Sequence, residues 1–366
     1  MHFQTIIIEM KQKRVLIGVL NWGLGHACRM IPIMRELSRR GWTIDIASDG
    51  AALIYLKKVF PNSRFYELPN LNIHYQHTGY LWFSLLRQLP VFTRSIKADR
   101  EMLTKLLEEQ SYDLILSDNR YGFYTSNVLS VLITHQLFPA IPNLLVPFRW
   151  LIDRWISKQI ARFNQVWIPD YADMDISLTG ILSHHHVSPK VRFIGPVTRL
   201  KLNPSRIEKD IDLLCILSGP EPQREMLEEL LIKQLINTKE RIIIIRGIPA
   251  EEQIIEPLNN LISKINFVLE DELKELMERS ALILSRCAYT SVMDYVLNGC
   301  PAILIPTPGQ WEQEYLAKHL ASHPLFYITT QKKIKISLAM QALSLQRKSS
   351  KFYKSYFNQE LPADLF

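Results

Sequence analysis

The stretch from residue 281 to residue 315, ALILSRCAYTSVMDYVLNGCPAILIPTPGQWEQEY, constrains this chain most. Two uninterrupted apolar runs, 281–284 and 302–305, flank a segment with helix signals at both ends. The helix opens near Thr290 and Ser291. Gly299 stands where a helix end takes a left-handed residue, and Pro301 forbids continuation. Strand, helix, strand, with both strands apolar throughout, reads as a parallel βαβ unit. Ligands of such sheets lie beyond the carboxyl ends of the strands. Ser285 and Arg286 follow the first strand, and Gly309, Gln310, Glu312, Gln313 and Glu314 follow the second. Free N–H groups at the helix opening suit a phosphate, and Asp294, one turn in, can accept hydrogen bonds from a ribose diol. Local physics predicts a site for a phosphorylated, hydroxyl-rich ligand.

A length of 366 residues predicts two domains, each able to bury a core. Residues 14–20 read as a buried strand, followed by the turn NWGLGHACR and an amphipathic helix from about 27 to 40. Gly41 closes that helix, and TIDIAS is the second strand. This is a βαβ opening of the doubly wound kind. Further strands are expected at 63–68, 113–116, 131–134, 165–168 and 191–194. The polar, proline-containing KLNPSRIEKD marks a linker at 198–209. A second series of strands is expected at 212–217, 241–246, 266–269, 281–284 and 302–305. The expectation is α/β: two Rossmann-like doubly wound domains facing across a cleft, 1–197 and 210–330. A basic, helical tail (331–366) is expected to pack back on the N-terminal domain.

Four widely spaced cysteines (Cys28, Cys215, Cys287, Cys300) show no ligand spacing and read as free thiols in a reducing, cytoplasmic setting. The first residues resemble no signal peptide, and residues 1–9 read as an extension before a natural start at Met10. No window approaches about 20 apolar residues, which argues against a spanning helix. Net charge is +7, compatible with nucleic acid, an anionic membrane surface or phosphate-bearing ligands. Zinc-finger and RNA-recognition signatures are lacking, so no nucleic acid partner is expected. Residues 80–92 crowd aromatic and aliphatic side chains beside Arg87, Arg94 and Lys97, and 143–163 has a similar mix. Both read as helices packed on the sheet, or as a basic-rimmed surface for a lipid-linked acceptor or an anionic bilayer. Three consecutive histidines, His184 to His186, cannot all turn toward one metal, and no metal is expected.

Gly23 and Gly25 let the chain turn tightly after the first strand and leave His26 at the mouth of a helix. A base there could take a proton from an acceptor hydroxyl, although a lone histidine is also a common structural residue. The loop lacks the full GxGxxG pattern, which weakens an NAD-binding reading. Asp118 and Arg120 follow one strand, and His135 and Gln136 the next; each reads as a cleft residue or as a turn and cap residue. Ser218 and Gly219 form a turn after a strand and can offer a hydroxyl and an N–H to a diphosphate.

SRCAYTSVMDYVLNGCPAILIPTPGQWEQEY resembles the donor-nucleotide motif of glycosyltransferase family 28, which includes the N-acetylglucosaminyltransferase of lipid-linked peptidoglycan precursors. The NWGLGHA turn with the helix behind it, THQ at 134–136, FIGPV at 193–197 and the Ser218–Gly219 turn resemble further segments of that family. The resemblance implies a GT-B fold, a nucleotide-sugar donor, UDP-linked, held by the C-terminal domain, and a glycan or lipid-linked acceptor. It implies no cofactor and no metal, because helix N-termini and hydrogen-bond donors neutralise the leaving diphosphate. By motif, Asp294 matches the ribose-binding acid, Gln313 and Glu314 a Gln-Gln pair that reads sugar hydroxyls, and Ser218 and Gly219 the diphosphate loop. Leu269 and Glu270 fall where backbone groups read the base, and His26 matches the glycine-loop histidine near the reaction centre. Arg286 and Thr290 belong to the same donor motif. Asp294, Glu314, Cys287 and Pro196 depart from the family pattern and leave the donor sugar and acceptor open. The expected activity is inverting sugar transfer, with His26 or Asp118 as base, peripheral to the inner face of a membrane. The alternatives are a nucleotide-sugar 2-epimerase and a noncatalytic nucleotide-sugar-binding partner in glycan assembly.

Overall fold

The computed structural model describes residues 12–69, 81–185, 188–202, 208–219, 221–248, 250–349 and 361–366. Its framework is two seven-stranded sheets. The first contains β1 (Arg14–Val19), β2 (Thr43–Ser48), β3 (Arg64–Glu67), β4 (Leu114–Asp118), β5 (Leu129–Ile133), β6 (Gln165–Ile168) and β7 (Val191–Phe193). Their order is 3-2-1-4-5-6-7, parallel throughout. Its helices are α1 (Leu24–Arg39), α2 (Gly50–Val59), α3 (Leu81–Glu109), α4 (Arg149–Ile160) and the short α5 (Ile181–His184).

The second sheet contains β8 (Ile211–Ile216), β9 (Ile242–Ile245), β10 (Ile255–Pro257), β11 (Ile262–Ile265), β12 (Ser280–Arg286), β13 (Ala302–Ile305) and β14 (Phe326–Ile328), in the order 10-11-9-8-12-13-14. Among the described strands only the edge pair β10–β11 is antiparallel. The helices here are α6 (Gln223–Leu235), α7 (Glu270–Arg279), α8 (Tyr289–Leu297), α9 (Trp311–His319) and α10 (Ile336–Ser349). In each sheet the strand order reverses beside the first strand, between β1 and β4 and between β8 and β12. Those switch points are where a parallel sheet leaves a crevice at its carboxyl edge.

The strands form where apolar runs can be covered on both faces: β4 and β13 are buried along their whole length. One apolar cluster runs from Met30, Ile31 and Met34 of α1 to Val292, Met293 and Val296 of α8, so the two sheets pack through these helices. Each such side chain contributes about 1.5–3 kcal/mol on burial.

Two expectations differ from the structure. The strand expected at 266–269 lies at Ile262–Ile265. Asn266 instead accepts hydrogen bonds from the backbone N–H of Ile254 and Phe267, which ends the strand. Within the expected linker, 198–202 is anchored: Leu200 is buried, and Asn298, the residue after α8, binds the backbone of Leu200 and Leu202. Helix α10 packs on the second sheet, where Ile336, Ala339 and Leu343 join its core. Among the described residues of the tail, 361–366 return to the N-terminal sheet, with Phe366 edge-on to Trp167. The side chains of the aromatic cluster at 80–92 lie outside the described residues.

Candidate active site

His26 lies in the first turn of α1, which no side chain caps; Gly23, at φ 75, makes the entry turn. Its Nδ1 is 2.7 Å from Asp118 Oδ2 at the carboxyl end of β4, the neighbour of β1 at the switch point. The His26 side chain is 13% exposed and that of Asp118 fully buried. Among the described residues no partner meets His26 Nε2, the nitrogen left for the cleft. Arg29, one turn along α1, is buried; its Nε donates to Asp118 Oδ1 at 2.6 Å and its Nη1 faces His135 Nδ1 at 2.8 Å. Burial pushes the Asp118 carboxyl up, but Arg29 and His26 outweigh it and hold it below the usual carboxylate range. Burial holds His26 below its ordinary value; Asp118 opposes this and Arg29 reinforces it. At neutral pH the pair is therefore a carboxylate holding a neutral imidazole, with the lone pair on Nε2.

The C-terminal domain closes over this pair. His135 Nε2 meets Glu312 Oε1 at 2.9 Å, Gln136 Nε2 donates to the other Glu312 oxygen, and the His135 ring stacks on Tyr289 at 4.4 Å. Thr290, at the opening of α8, donates its hydroxyl to the Gly25 carbonyl at 3.2 Å. The opening of α8, like that of α1, has no side-chain cap. Two helix N-termini with free N–H groups thus converge on the cleft. On the far side of β8, Ser218 and Gly219 are exposed, and Gly219 has φ +104, a conformation that only glycine takes without strain.

Other residues singled out in the sequence have different surroundings. Arg120 is a correction: it is fully buried, not in the cleft, and binds Asp99 Oδ1 at 2.6 Å and Asp49 Oδ1 at 2.8 Å. The left-handed Asn119 (φ 53) turns the chain inward after β4 and carries Arg120 with it. Arg286 lies beneath the loops at the sheet edge, where the Gln223 and Pro306 carbonyls and Gln331 Oε1 accept from it. All three are neutral oxygens, and burial pulls its pKa down to about 10. Glu314 is turned back on its own loop and accepts from Gly309 N–H at 2.9 Å; Gln313 likewise accepts from Thr307 N–H. The carboxylate that reaches the cleft is Glu312.

Leu269 is the N-cap position of α7, and Glu270 forms a two-pronged ion pair with Arg35 of α1 across the interface, at 2.5 and 3.1 Å. Asp294 is buried and accepts from Thr198 Oγ1 at 2.6 Å. Burial pushes it up to about 6, although Arg199 and Thr198 pull the other way. Arg29 is the site residue that local reading misses, and Glu312 is named only as one of five residues after its strand. Arg29 looks like one more cation on an amphipathic helix, and nothing in its neighbourhood in sequence announces Asp118 or His135.

Residues 220–360 match the glycosyltransferase family 28 C-terminal domain. An uncharacterized glycosyltransferase of Methanopyrus kandleri is 21% identical over 309 residues, which cover 80% of this chain and 85% of that protein. Among solved structures, the glycotransferase of kitacinnamycin superposes with a TM-score of 0.63 at 13% identity, covering 91% of both chains. MurG of Acinetobacter baumannii superposes with a TM-score of 0.52 at 12% identity, covering 91% of this chain and 90% of that one. With two doubly wound domains of the GT-B fold and a C-terminal region that matches the family 28 domain, the chain is a glycosyltransferase that resembles family 28.

Proposed function

We propose that the protein is an inverting glycosyltransferase that moves a sugar from a UDP-sugar to a hydroxyl of a glycan or lipid-linked acceptor, without a cofactor or metal. The observation that carries this reading is the His26–Asp118 pair, with Nδ1 held at 2.7 Å and Nε2 left toward the cleft. In the proposed step His26 Nε2 takes the acceptor proton as the acceptor oxygen bonds to the anomeric carbon. The bond from that carbon to the diphosphate breaks on the opposite face, which inverts the centre. His26, not Asp118, is the base, because Asp118 is buried behind it and serves to fix its tautomer. The uncapped α8 N-terminus and the Ser218–Gly219 turn receive the departing diphosphate. Asp294 takes the ribose hydroxyls once Thr198 gives way.

Calorimetry against UDP, GDP, dTDP, CMP and NAD tests the donor. UDP binding that is lost in Asp294→Ala supports the reading, and binding of none of them overturns it. With the donor in hand, His26→Ala should lower turnover by about 10²–10⁴-fold. Retained turnover would remove His26 from the reaction.

A lipid-linked acceptor is favoured by the segment leading into α4. Leu144, Val146, Phe148, Trp150 and Leu151 are exposed, and Arg154, Lys158 and Arg162 stand exposed beside them. Apolar side chains rimmed by cations fit an anionic bilayer surface. Flotation with anionic vesicles at low salt, abolished in Phe148→Ser/Trp150→Ser, is the expected result. No flotation of the unaltered protein would refute it.

A further inference from the structure

One chain of polar contacts joins the two domains through the cleft, and simple proton abstraction does not require it. From the donor side, Glu312 meets His135 Nε2 at 2.9 Å. His135 Nδ1 faces Arg29 Nη1 at 2.8 Å, and Arg29 Nη2 lies 3.0 Å from His26 Nδ1 while Nε binds Asp118. A guanidinium only donates. His135 Nδ1 must therefore carry a lone pair, its proton sits on Nε2, and that proton points at Glu312. The carboxylate thus selects the one tautomer of His135 that can receive Arg29. Without an acceptor at that place the Nδ1–H tautomer becomes accessible, and its N–H would push Arg29 away.

The geometry of His26 gives this seating a consequence. Its Nδ1 lies closer to Asp118 than to Arg29, so Nδ1–H donates to the carboxylate and Nε2 stays free. A guanidinium 3.0 Å from the same nitrogen opposes a second proton on the ring. The groups that act on His26 are Asp118 from β4, Arg29 from its own helix, His135 from the segment after β5 and Glu312 from α9. The opening of α8 adds partial positive charge opposite Gly25.

Resting on the reading of His26 as base, we propose that Glu312 is a positioning residue. Docking of the donor domain brings Glu312 to His135, the selected tautomer seats Arg29, and the seated guanidinium keeps His26 unprotonated and aimed. The acceptor-side base is then competent only when the donor side is closed over it. This role differs from a sugar contact, because it operates in the protein without donor.

The sign of one measurement separates this relay from a plain field effect. Removing an anion near His26 should, by field alone, make the imidazolium less stable and lower its titration midpoint. Unseating Arg29 should leave Asp118 to dominate and raise it. The experiment is ring-nitrogen NMR of full-length protein labelled with ¹⁵N-histidine, titrated with pH and assigned with His26→Gln and His135→Phe. In the unaltered protein His135 should be the Nε2–H tautomer. Glu312→Leu should scramble that tautomer and raise the His26 midpoint by about half a pH unit or more. Glu312→Gln keeps an acceptor for Nε2–H and should not raise it. In the His135→Phe background, which keeps the ring on Tyr289 and removes both nitrogens, Glu312→Leu should have no further effect. A lowered or unchanged midpoint in Glu312→Leu overturns the relay, and so does the same rise in Glu312→Gln. Neither result depends on turnover, so loss of the base reading through an active His26→Ala remains a separate outcome.

Discussion

Asp294 stabilises nothing by being charged where it is, and this can be measured. It is buried between α8 and the 198–202 segment, and its folded-state pKa stands at about 6 against an ordinary value of 3.8. The shift is about two units, and each unit corresponds to about 1.4 kcal/mol. Between those two pKa values the folded protein holds more protons than the unfolded chain, so stability falls as pH rises through that window and is flat above it. At pH 8 the full cost, on the order of 3 kcal/mol, is present; at pH 4 most of it is gone. Asp294→Asn keeps an oxygen for the Thr198 hydroxyl and removes the charge. It should be more stable than the unaltered protein by about 2–3 kcal/mol at pH 8 and nearly equal to it at pH 4.

Urea unfolding of both proteins at pH 4, 5, 6 and 8 gives the whole curve, with the gap opening between pH 4 and 6. In thermal unfolding the pH 8 gap should appear as a rise of roughly 3–4 °C. The same variant should bind UDP more weakly, because a ribose diol donates better to a carboxylate than to an amide. A variant no more stable at pH 8, or equally stabilised at pH 4, would refute the argument that burial of this charge is a cost. Stability gained together with affinity lost would mark Asp294 as a residue kept for its ligand.

Arg120→Met should cost about 3–5 kcal/mol in urea unfolding, because it leaves the buried carboxylates of Asp49 and Asp99 without their cation. A change below 1 kcal/mol would contradict the burial of this trio. Gly247→Ala puts a methyl 2.4 Å from the Leu217 carbonyl at a φ of +66. It should cost about 1–3 kcal/mol from backbone strain alone. Because Leu217 leads directly into Ser218 and Gly219, calorimetry should also show weakened UDP binding; unchanged affinity would separate that turn from the diphosphate.

What is legible in the sequence follows the range of the interaction that decides it. Apolar runs such as 302–305 and 242–245 announce strands because burial on both faces is a local demand on composition. The edge strands β10 and β14 have three residues each, and β10 is exposed throughout and ends in Pro257. Nothing in the composition of β10 demands a sheet; pairing with a neighbour already in place supplies it. Around 262–269 the pattern misleads, since Phe267, Val268 and Leu269 look more strand-like than ISKI, and a single asparagine bonding to its own loop decides the boundary.

The site divides in the same way. The glycine turn and His26 are visible because both belong to one helix opening, whereas Asp118 is 92 positions from His26, and Glu312 is 177 positions from His135. A motif at 310–315 narrows the candidates to adjacent polar residues, but only the rotation of α9 decides that Glu312 faces the cleft while Glu314 caps its own loop. Two residues of register on a helix turn a side chain by about 200°, since 3.6 residues make a turn. That rotation separates a carboxylate that reaches His135 from one that closes its own turn.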